Sequence, residues 1–573
     1  MSSQEMFRKS KRPSTRRAEI QHLYQKYLSG ETLSVSDLLK FLHKEQMELT
    51  ADEHTAEGLI NRYEIEESAI QAKSMTFEGF FRYMESKDCC VFNQAHTSVY
   101  QDMDQPLSSY FISSSHNTYL TGDQIVGKSH LDAYVIALRK GCRCLEIDCW
   151  DGSDMEPVVY HGYTLTNKIL FKEVIATVEQ HAFEVTSPYP VILSLENHCS
   201  KEQQEIMAHY LISILGEKLL RAPIDHPTTG ELPNPHQKQK VVVAEALSDL
   251  VIYTRSVKFI SFRYSRDNQH NYENTSLVET KARKLLKSPD FIRHNQRFLS
   301  RIYPAGSRTA SSNYNPQEFW NVGCQLVALN FQSLATPMDL NDGRFQDNGG
   351  CGYILKPAVL MSTQGDFDPG RSRRSFRAKH LLLKVISGSN LPLSRSRKTL
   401  DPFVRVEIHG IPFDSCRKST HAVKNNSLSP CWDAHMNFKI RTPELCLIRF
   451  CVRDQTGILS SEFVGQYTLP FTSLKKGEPH RHKRVREGAC VCMWGGVCGR
   501  NSRQVINDIR GHGVIVLSVS TPSALLKVVS APSHVWQPCF HLCPPTGYCW
   551  VPLCSRDGCS LDPASLFVLV WYS

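Results

Sequence analysis

Two acidic residues interrupt an otherwise apolar segment that reads CLEIDCW from Cys144 to Trp150. Side chains alternate between the two faces of a β-strand, so Glu146 and Asp148 share one face while Leu145 and Ile147 share the other. Burying two carboxylates without a counter-charge is very costly. A divalent cation with oxygen ligands would remove that cost. The segment therefore predicts either a buried cation site or, as the alternative, a pair of acids at an exposed sheet edge.

Three further strand-like segments also end near polar or ionisable residues. His116 and Asn117 follow the strand-like segment that begins YFIS. The segments VVYH and VILSLE end at His161 and Glu196. Enzymes built on parallel barrels place their catalytic residues at the C-terminal ends of strands. Two histidines beside oxygen ligands for a hard cation suit acid–base chemistry on a phosphate ester.

Short strands alternate with helices from about residue 107 to residue 357. About 250 residues of this alternation are typical of a TIM-type α/β barrel. Amphipathic helices such as Asn167–Phe183 lie between the strands. The predicted strands are Tyr110–Ser113, Cys144–Cys149, Val158–His161, Val191–Glu196, Leu326–Asn330 and Gly352–Leu355.

Different periodicities flank the predicted barrel. Residues 15–88 repeat apolar side chains at helical spacing, for example at Ile20, Leu23 and Tyr24. The loops between these helices lack the acidic residues and central glycine of a calcium-binding loop, so we expect a helical module of the EF-hand type without calcium. After residue 379 strands recur without helices, which indicates an all-β sandwich. The predicted fold class is therefore multidomain.

Changes in composition set the expected domain boundaries. The segment 478–554 is rich in Cys, Trp, Gly and Pro and shows no sustained period. We interpret it as an insert, and the resemblance given below implies that it is non-homologous. A zinc site formed by its seven cysteines stays an alternative, although their spacings fit no standard ligand pattern. The assigned domains are 1–100 for the helical module with its basic N-terminus, 101–237 and 238–362 for the two barrel halves, 363–379 for a basic linker, and 380–573 for the sandwich with its insert.

Charge and hydropathy restrict the cellular setting. The chain of 573 residues carries a formal net charge of +9, which by itself fits an anionic membrane or a nucleic acid. No secretory signal and no run of about 18 apolar residues is present, so we expect a cytoplasmic protein with reduced thiols. Two basic clusters, Arg8–Arg17 and Arg371–Lys379, predict peripheral contact with an anionic membrane, although solvated tails are an equal alternative.

Four motifs resemble the phosphoinositide-specific phospholipase C family. They are FISSSHNTYL from Phe111, the segment Cys144–Gly152, the segment Leu193–His198, and FQDNGGCGY from Phe345. The resemblance covers residues 15 to about 477 and implies an EF-hand-like module, a catalytic barrel in X and Y halves, and a C2-type sandwich. It also implies a calcium cofactor and a membrane phosphoinositide as substrate, with no nucleic acid partner.

The resemblance implies a role for each candidate residue. His116 would stabilise the phosphoryl transition state, and His161 would act first as general acid and then as general base. Glu146 would take the proton of the inositol 2-hydroxyl, giving a cyclic phosphate that water opens. The implied calcium ligands are Asn117, Glu146, Asp148 and Glu196. The implied contacts to the inositol ring and its phosphates are Ser276, Arg301 and Tyr303.

One departure from the family pattern lies between the two barrel halves. The family has a strand there with a Lys-x-Lys pair, followed by a charged linker. In this chain Leu232–Gln237 runs almost directly into Lys238, Lys240 and the apolar segment Val241–Val243. A barrel strand is therefore expected to be missing unless Val241–Val243 replaces it. Two interpretations stay open: an active phospholipase, or a catalytically impaired relative that binds membranes.

The sandwich is similar to the family's C2-type domain. Asp401 and Asp454 match acids of its calcium loops, and Asn426 lies in the neighbouring loop. Thr456 stands where a second acid is usual, so we expect weak calcium binding there.

Within the family, the chain most resembles the zeta branch. Its N-terminus leaves no room for a pleckstrin-type domain, and the segment Ala246–Thr254 and the ending Val570–Tyr572 point the same way. The resemblance implies hydrolysis of phosphatidylinositol 4,5-bisphosphate to diacylglycerol and inositol trisphosphate, and release of intracellular calcium as in egg activation. We expect a monomer, with a nuclear or perinuclear location left open.

Overall fold

A computed structural model describes ten segments of the chain: residues 16–46, 48–183, 187–221, 243–362, 367–370, 378–393, 399–475, 515–520, 546–554 and 560–572. The chain divides into two compact units. The first comprises Met1–Ala95, Arg374–Val491 and Pro538–Ser573, and the second comprises His96–Arg373 and Cys492–Gln537. Among the described residues, no helix is both long and apolar enough to cross a bilayer.

The N-terminal module is helical, as predicted. Ser34 begins the second helix with a capping box, in which its hydroxyl accepts the N–H of Asp37 and the Asp37 carboxylate accepts the N–H of Ser34. Phe41 and Phe80 pack edge to face in its core at 5.0 Å. Its helices are α1 Arg16–Tyr27, α2 Val35–Lys44, α3 Glu53–Tyr63, α4 Glu67–Gln71 and α5 Phe77–Glu85, and its antiparallel strands are β1 Leu33–Ser34 and β2 Ser74–Met75.

The second unit contains the predicted α/β barrel. Seven of its parallel strands come from residues 110–329, and one comes from residues 515–520. The parallel strands are β3 Tyr110–Ser115, β4 Cys144–Trp150, β7 Val191–Asn197, β8 Arg255–Ser256, β9 Glu273–Val278, β10 Leu299–Tyr303, β11 Leu326–Leu329 and β19 Ile515–Ser520. Their order in the sheet is β19-β7-β4-β3-β11-β10-β9-β8.

Helices and three short antiparallel strands complete this unit. The helices are α6 Leu131–Arg139, α7 Phe171–His181, α8 Lys201–Leu215, α9 Glu245–Ser248, α10 Phe262–Asn268, α11 Glu279–Leu285, α12 Asp290–Arg297, α13 Gln317–Trp320, α14 Thr336–Phe345 and α15 Ala358–Met361. The antiparallel strands are β5 Val158–Val159, β6 Ile169–Leu170 and β12 Tyr353–Leu355.

Two predicted barrel strands differ from the structure. The segment Val158–His161 is regular only at Val158–Val159, where it pairs antiparallel with β4. His161 therefore lies in the loop between β5 and β6 and not at the end of a parallel barrel strand. The segment Gly352–Leu355 likewise pairs antiparallel with β3 as β12. An apolar run of four residues has the same period in either direction of pairing, so its orientation was not readable from the sequence.

The sandwich alternates buried and exposed side chains as a two-layered sheet requires. Val404, Val406 and Ile408 of one strand point into the core while the residues between them are part-exposed. Its strands are β13 Lys379–Ser389, β14 Pro402–His409, β15 Cys416–Ser419, β16 Cys431–Ile440, β17 Leu447–Gln455, β18 Ser461–Pro470, β20 Thr546–Cys554 and β21 Ser560–Tyr572, in the sheet order β15-β14-β17-β18-β20-β21-β13-β16.

The segment 478–554 differs from a simple insert in the sandwich. Its part Ile515–Ser520 is the barrel strand β19, which pairs with β7. Its end Thr546–Cys554 is β20, which pairs along β21 in the sandwich. The segment therefore contributes a strand to each of the two units.

Several predictions fall outside the described residues. These are the basic residues before Arg16 and those of 371–377, the lysines Lys238 and Lys240, the residues Val241 and Val242 of the alternative replacement strand, and five of the seven cysteines of the segment 478–554.

Candidate active site

Three carboxylates meet at the C-terminal ends of β4 and β7. One oxygen each from Glu146, Asp148 and Glu196 lies within 4.8 Å of the others. The parallel register explains the arrangement, since Asp148 is the partner of Glu196 and Glu146 is the partner of Ser194. Glu146 and Asp148 are buried, while Glu196 is exposed. The structure therefore realises the buried arrangement and not a pair of acids at an exposed edge.

Asp148 is the least compensated member of this cluster. Its Oδ2 accepts the hydroxyl of Tyr119 at 2.6 Å, whereas its buried Oδ1 has no donor among the described residues. Burial, followed by the charges of Glu196 and Glu146, raises the pKa of Asp148 well above its usual range. An orphaned carboxylate oxygen among other carboxylates is the environment that an oxygen-ligated divalent cation fits.

Glu146 is held from two sides. Its Oε2 accepts the backbone N–H of Asn117 at 2.8 Å. Its Oε1 lies 2.7 Å from Nη2 of Arg301, an ion-pair distance, although the N–H groups of Nη2 and Nε do not point at an acceptor. Burial opposes the charged form of Arg301, and the attraction to Glu146 with smaller contributions nevertheless raises the Arg301 pKa. The contact is therefore a buried ion pair with poor hydrogen-bond geometry.

Asn117 bends the chain at the end of β3. Its φ of 42° lies in the left-handed region, which asparagine tolerates better than most residues. This conformation turns its backbone N–H toward Glu146, while its side-chain Nδ2 donates to Oε1 of Gln124 at 2.7 Å. The amide nitrogen is thus engaged, which leaves Oδ1 as the atom of Asn117 suited to a cation.

His116 presents one ring nitrogen to the site. Its Nδ1 lies 3.0 Å from Oδ1 of Asn330, an acceptor, so Nδ1 carries the proton and Nε2 does not. The ring stacks parallel to Tyr303, with centroids 6.3 Å apart. Burial lowers the pKa of His116, with Glu146 opposing the shift. The side chain is therefore held as a neutral, oriented imidazole.

His161 reaches the same site from its loop. Its Nδ1 lies 2.7 Å from the backbone oxygen of Gln124. A backbone carbonyl can only accept, so Nδ1 donates and Nε2 is the nitrogen available for proton transfer.

Gln124 connects Asn117 and His161 through hydrogen bonds, and it was not predicted from the sequence as a residue of the site. Besides binding Asn117 and His161, its Nε2 donates to Asn330 and to Ser311. Gln124 lies in an irregular loop, and a lone glutamine in a loop carries no periodic or motif signal. Its only sequence signal was its position seven residues after Asn117, which is too weak to separate it from a surface residue.

The three predicted substrate contacts are brought together on one face of the barrel. Ser276 of β9 and Arg301 of β10 are register partners, and Tyr303 lies two residues further along β10. The guanidinium carbon of Arg301 is 5.6 Å from the centre of the Tyr303 ring. Burial raises the pKa of Tyr303, so its hydroxyl stays neutral and can donate.

The predicted calcium ligands of the sandwich, Asp401, Asn426 and Asp454, make hydrogen bonds or ion pairs within the protein. The backbone N–H of Asp401 donates to Oδ1 of Asp454 at 2.7 Å, so these two acids are neighbours. Lys424 pairs with Oδ2 of Asp401 at 2.9 Å. Asn426 uses its side-chain oxygen and nitrogen to close a turn with Ser429. Asp401 and Asp454 are therefore neighbours, and a salt bridge or hydrogen bonds already engage Asp401 and Asn426. Calcium binding by Asp401, Asn426 and Asp454 stays a prediction.

Four family models match the chain. They are described as the phosphatidylinositol-specific phospholipase C X domain at residues 103–246, the corresponding Y domain at 247–359, the phosphoinositide-specific phospholipase C EF-hand-like domain at 12–94, and the C2 domain at 379–484. The matches to the X and Y domains contain every residue of the carboxylate and histidine cluster described above.

Similar proteins match over most of their own length. A human 1-phosphatidylinositol 4,5-bisphosphate phosphodiesterase delta-4 is 42% identical over 83% of this chain and 70% of its own. The human zeta-1 protein of the same name is 41% identical over 99% of this chain and 90% of its own. Among solved structures, PLC21 of L. pealei superposes with a TM-score of 0.76 at 30% identity, over 97% of this chain and 69% of its own.

Proposed function

The chain belongs to the phosphoinositide-specific phospholipase C family, and from this membership we propose that it hydrolyses phosphatidylinositol 4,5-bisphosphate in a calcium-dependent reaction. The products would be diacylglycerol and inositol trisphosphate, and the latter would release intracellular calcium, as in egg activation if the chain acts like its zeta relatives. One observation carries the calcium dependence: Asp148, whose buried Oδ1 has no donor among the described residues, clusters with two further carboxylates.

The residues that would hold calcium all offer oxygen atoms, as this hard cation prefers. They are Asn117 through Oδ1, Glu146, Asp148 and Glu196. When bound, the ion would stabilise negative charge on the phosphate and increase the acidity of the inositol 2-hydroxyl. His198 donates to Glu196 at 2.8 Å and so helps to keep this exposed ligand deprotonated, since that hydrogen bond lowers the Glu196 pKa.

The chain's own groups would then move the protons. Glu146 takes the proton of the 2-hydroxyl as its oxygen attacks phosphorus, and protonated His161 gives a proton through Nε2 to the departing diacylglycerol oxygen. The neutral His161 next takes a proton from water as its oxygen attacks phosphorus and the bond from phosphorus to the 2-oxygen breaks. Glu146 returns its proton to the departing 2-oxygen, so both groups end in their starting protonation states. The hydrogen bond from Nδ1 to the backbone of Gln124 keeps Nε2 of His161 directed to this task.

His116 and the residues of the second barrel half would bind the phosphates. Asn330 would fix the ring of His116 through Nδ1. Once the charge of the bound phosphate has favoured protonation of His116 at Nε2, Nε2 would donate to a phosphoryl oxygen in the transition state. Arg301, Ser276 and Tyr303 would contact the ring and its phosphates. Because Arg301 lies against Glu146 in the structure, binding of a ring phosphate by Arg301 would also release Glu146 to act as a base.

Exposed apolar side chains beside the site support a membrane substrate. Tyr163 and Leu165 of the His161 loop are 95% and 81% exposed, and Val126 of the Gln124 loop is 60% exposed. The two loops are joined by a hydrogen bond from the N–H of Leu165 to the oxygen of Ile125. We propose that they contact the lipid surface of the membrane to which the enzyme attaches peripherally.

Release of inositol phosphate from vesicles containing the bisphosphorylated lipid tests the proposal. We expect turnover with calcium and at least a hundredfold loss in EGTA. Magnesium in place of calcium is the control for a general divalent effect. Equal turnover in EGTA would contradict the calcium site, and no turnover at any calcium concentration would favour the catalytically impaired relative.

A further inference from the structure

The parallel barrel strands that the structure describes before residue 330 form an incomplete series. In sheet order they run from β7 to β8, and both end strands need a neighbour for the barrel to close. A TIM-type barrel closes with eight parallel strands. The eighth strand in this structure is β19, from a segment about 190 residues after β11.

On one side, β19 pairs with β7 along its whole length. The parallel register runs from Ile515 opposite Val191 to Ser520 opposite Glu196. Ser518 is opposite Ser194, which precedes Glu196 by two residues and faces the same side of the sheet. The end of β19 therefore stands beside the carboxylate cluster.

On the other side, three hydrogen bonds connect β19 to the second barrel half. The hydroxyl of Ser518 donates to the backbone oxygen of Thr254 at 2.7 Å and accepts from Nδ2 of Asn274 at 2.8 Å. The hydroxyl of Thr254 donates to the backbone oxygen of Leu517 at 3.0 Å. Ser518 is buried, so these polar groups depend on one another for hydrogen bonding.

Thr254 supplies a second, independent observation. Its φ is 63°, in the left-handed region, which is a strained conformation for a β-branched residue. In this conformation its hydroxyl and its backbone oxygen both meet β19. The strained residue is therefore held where it binds the neighbouring strand.

The inner side chains of β19 also continue the layers of the barrel. Val516 is 3% exposed and belongs to the same apolar cluster as Ile112, Cys144 and Ile192. These three residues come from β3, β4 and β7, the next three strands in the sheet. Ser518 lies two residues after Val516 on the same side of β19, opposite Ser194 of β7, so the next layer of barrel side chains is polar.

We propose that Ile515–Ser520 is a working strand of the catalytic barrel and that Ser518 is a positioning residue. Ser518 ties β7, which carries Glu196, to β9, which carries Ser276. The segment that the sequence marks as foreign to the family is then part of the catalytic domain. This inference adds an element to the proposed enzyme and depends on the proposed function only in its kinetic test.

Hydrogen exchange in the intact chain tests the strand without any need for turnover. We expect the amides of residues 516–519 to be protected to the same extent as those of β7, because parallel pairing removes them from water. Exchange of these amides at the rate of an unfolded peptide, with β7 still protected, would overturn the proposal.

The kinetic test compares Ser518→Ala with Ser518→Thr, which retains the hydroxyl. Ser518 acts on Glu196 through the placement of β7, which β19 pairs with. We expect Ser518→Ala to loosen this placement and raise the calcium concentration for half-maximal activity about tenfold, the order of effect of disturbing the surroundings of a metal site. We expect Ser518→Thr to restore most of it. The exposed Ser213→Ala on α8 is the matched control. Protected amides together with unaltered calcium dependence in Ser518→Ala would reject the positioning role of Ser518.

Discussion

At the scale of single residues, the two buried acids of β4 should respond oppositely to neutralisation. Asp148→Asn removes a poorly compensated charge and keeps an acceptor for Tyr119, so we expect the free energy of unfolding in EGTA to rise by about 1 to 2 kcal/mol. Glu146→Gln leaves the buried Arg301 without its counter-charge and should cost up to about 3 to 5 kcal/mol.

Both substitutions should reduce turnover by roughly a hundredfold or more, because each removes a proposed ligand. Chemical denaturation in EGTA and vesicle hydrolysis with calcium measure the two effects separately. If Asp148→Asn destabilised the protein as much as Glu146→Gln, the description of Asp148 as an uncompensated carboxylate would be wrong.

The two histidines should be separable by the leaving group. We expect His161→Ala to lower turnover of the lipid by about 10² to 10⁴, since it loses the proton donor to diacylglycerol. A soluble inositol aryl phosphodiester has a leaving group that needs no proton, so His161→Ala should recover much of its rate on this substrate. His116→Ala should not recover, because its role is at the phosphoryl oxygens.

The rates of both variants on both substrates are the measurement. Equal recovery of His116→Ala and His161→Ala would contradict their assignment to different steps.

The sequence predicted the charged residues of the site better than the amides that orient them. Glu146 and Asp148 were identifiable because two carboxylates with a period of two conflict with an apolar strand. Gln124 and Asn330 hold the histidines, but their role arises from contacts between distant segments. Such contacts depend on loop conformation, which no local pattern of apolar residues specifies.

At the scale of elements, a buried lysine after β12 connects the strand to α12. Nζ of Lys356 donates to the backbone oxygen of Asn295 at 3.0 Å, and burial lowers the Lys356 pKa to about 7. In the unfolded chain the lysine pKa is about 10.4. Between these values the unfolded state binds more protons, so the free energy of unfolding rises with pH from about 7 to 10.

Lys356→Met should remove this dependence. Asn295 keeps Nε2 of Gln325 as a donor at 2.7 Å, so no acceptor is orphaned. We expect the variant to be more stable than the parent by several kcal/mol near pH 7, because each pKa unit corresponds to about 1.4 kcal/mol, and the advantage to shrink toward pH 10. Denaturation of both proteins at pH 7 and 9.5 measures it, and a constant difference would exclude the proposed cause.

Local periodicity identified most elements but not their partners. The strands predicted at Cys144–Cys149 and Val191–Glu196, from apolar runs with a polar end, correspond to β4 and β7, each of which is one residue longer. The pairing of β19 with β7 was not predicted, because the six residues of β19, IVLSVS, would suit a strand of the sandwich equally well. Which sheet they join depends on the edges of β7 and β8, and these exist only once the barrel has formed.

At the scale of the whole molecule, a net charge of +9 and the exposed apolar loops predict two separable contributions to membrane attachment. Replacing the basic residues of the N-terminal cluster, Arg8–Arg17, by glutamine should weaken binding to acidic vesicles by about 1 kcal/mol per charge at low salt. Leu165→Ala should weaken binding by a similar amount at low and high salt, because apolar insertion is little screened.

Vesicle sedimentation at two salt concentrations distinguishes these contributions. Binding of the parent chain that does not fall with salt would leave the basic cluster without a role.

The position of β19 also has a consequence for the order of events during synthesis. A ribosome adds about 190 residues between the end of β11 and the end of β19, which takes roughly 10 to 40 s at about 5 to 20 residues per second. Throughout that interval only seven of the eight described parallel strands exist, and β7 and β8 lack the neighbour that β19 provides. The barrel of the newly made enzyme therefore lacks this strand until residue 520 has been made, and any message truncated before codon 520 would encode a barrel without β19.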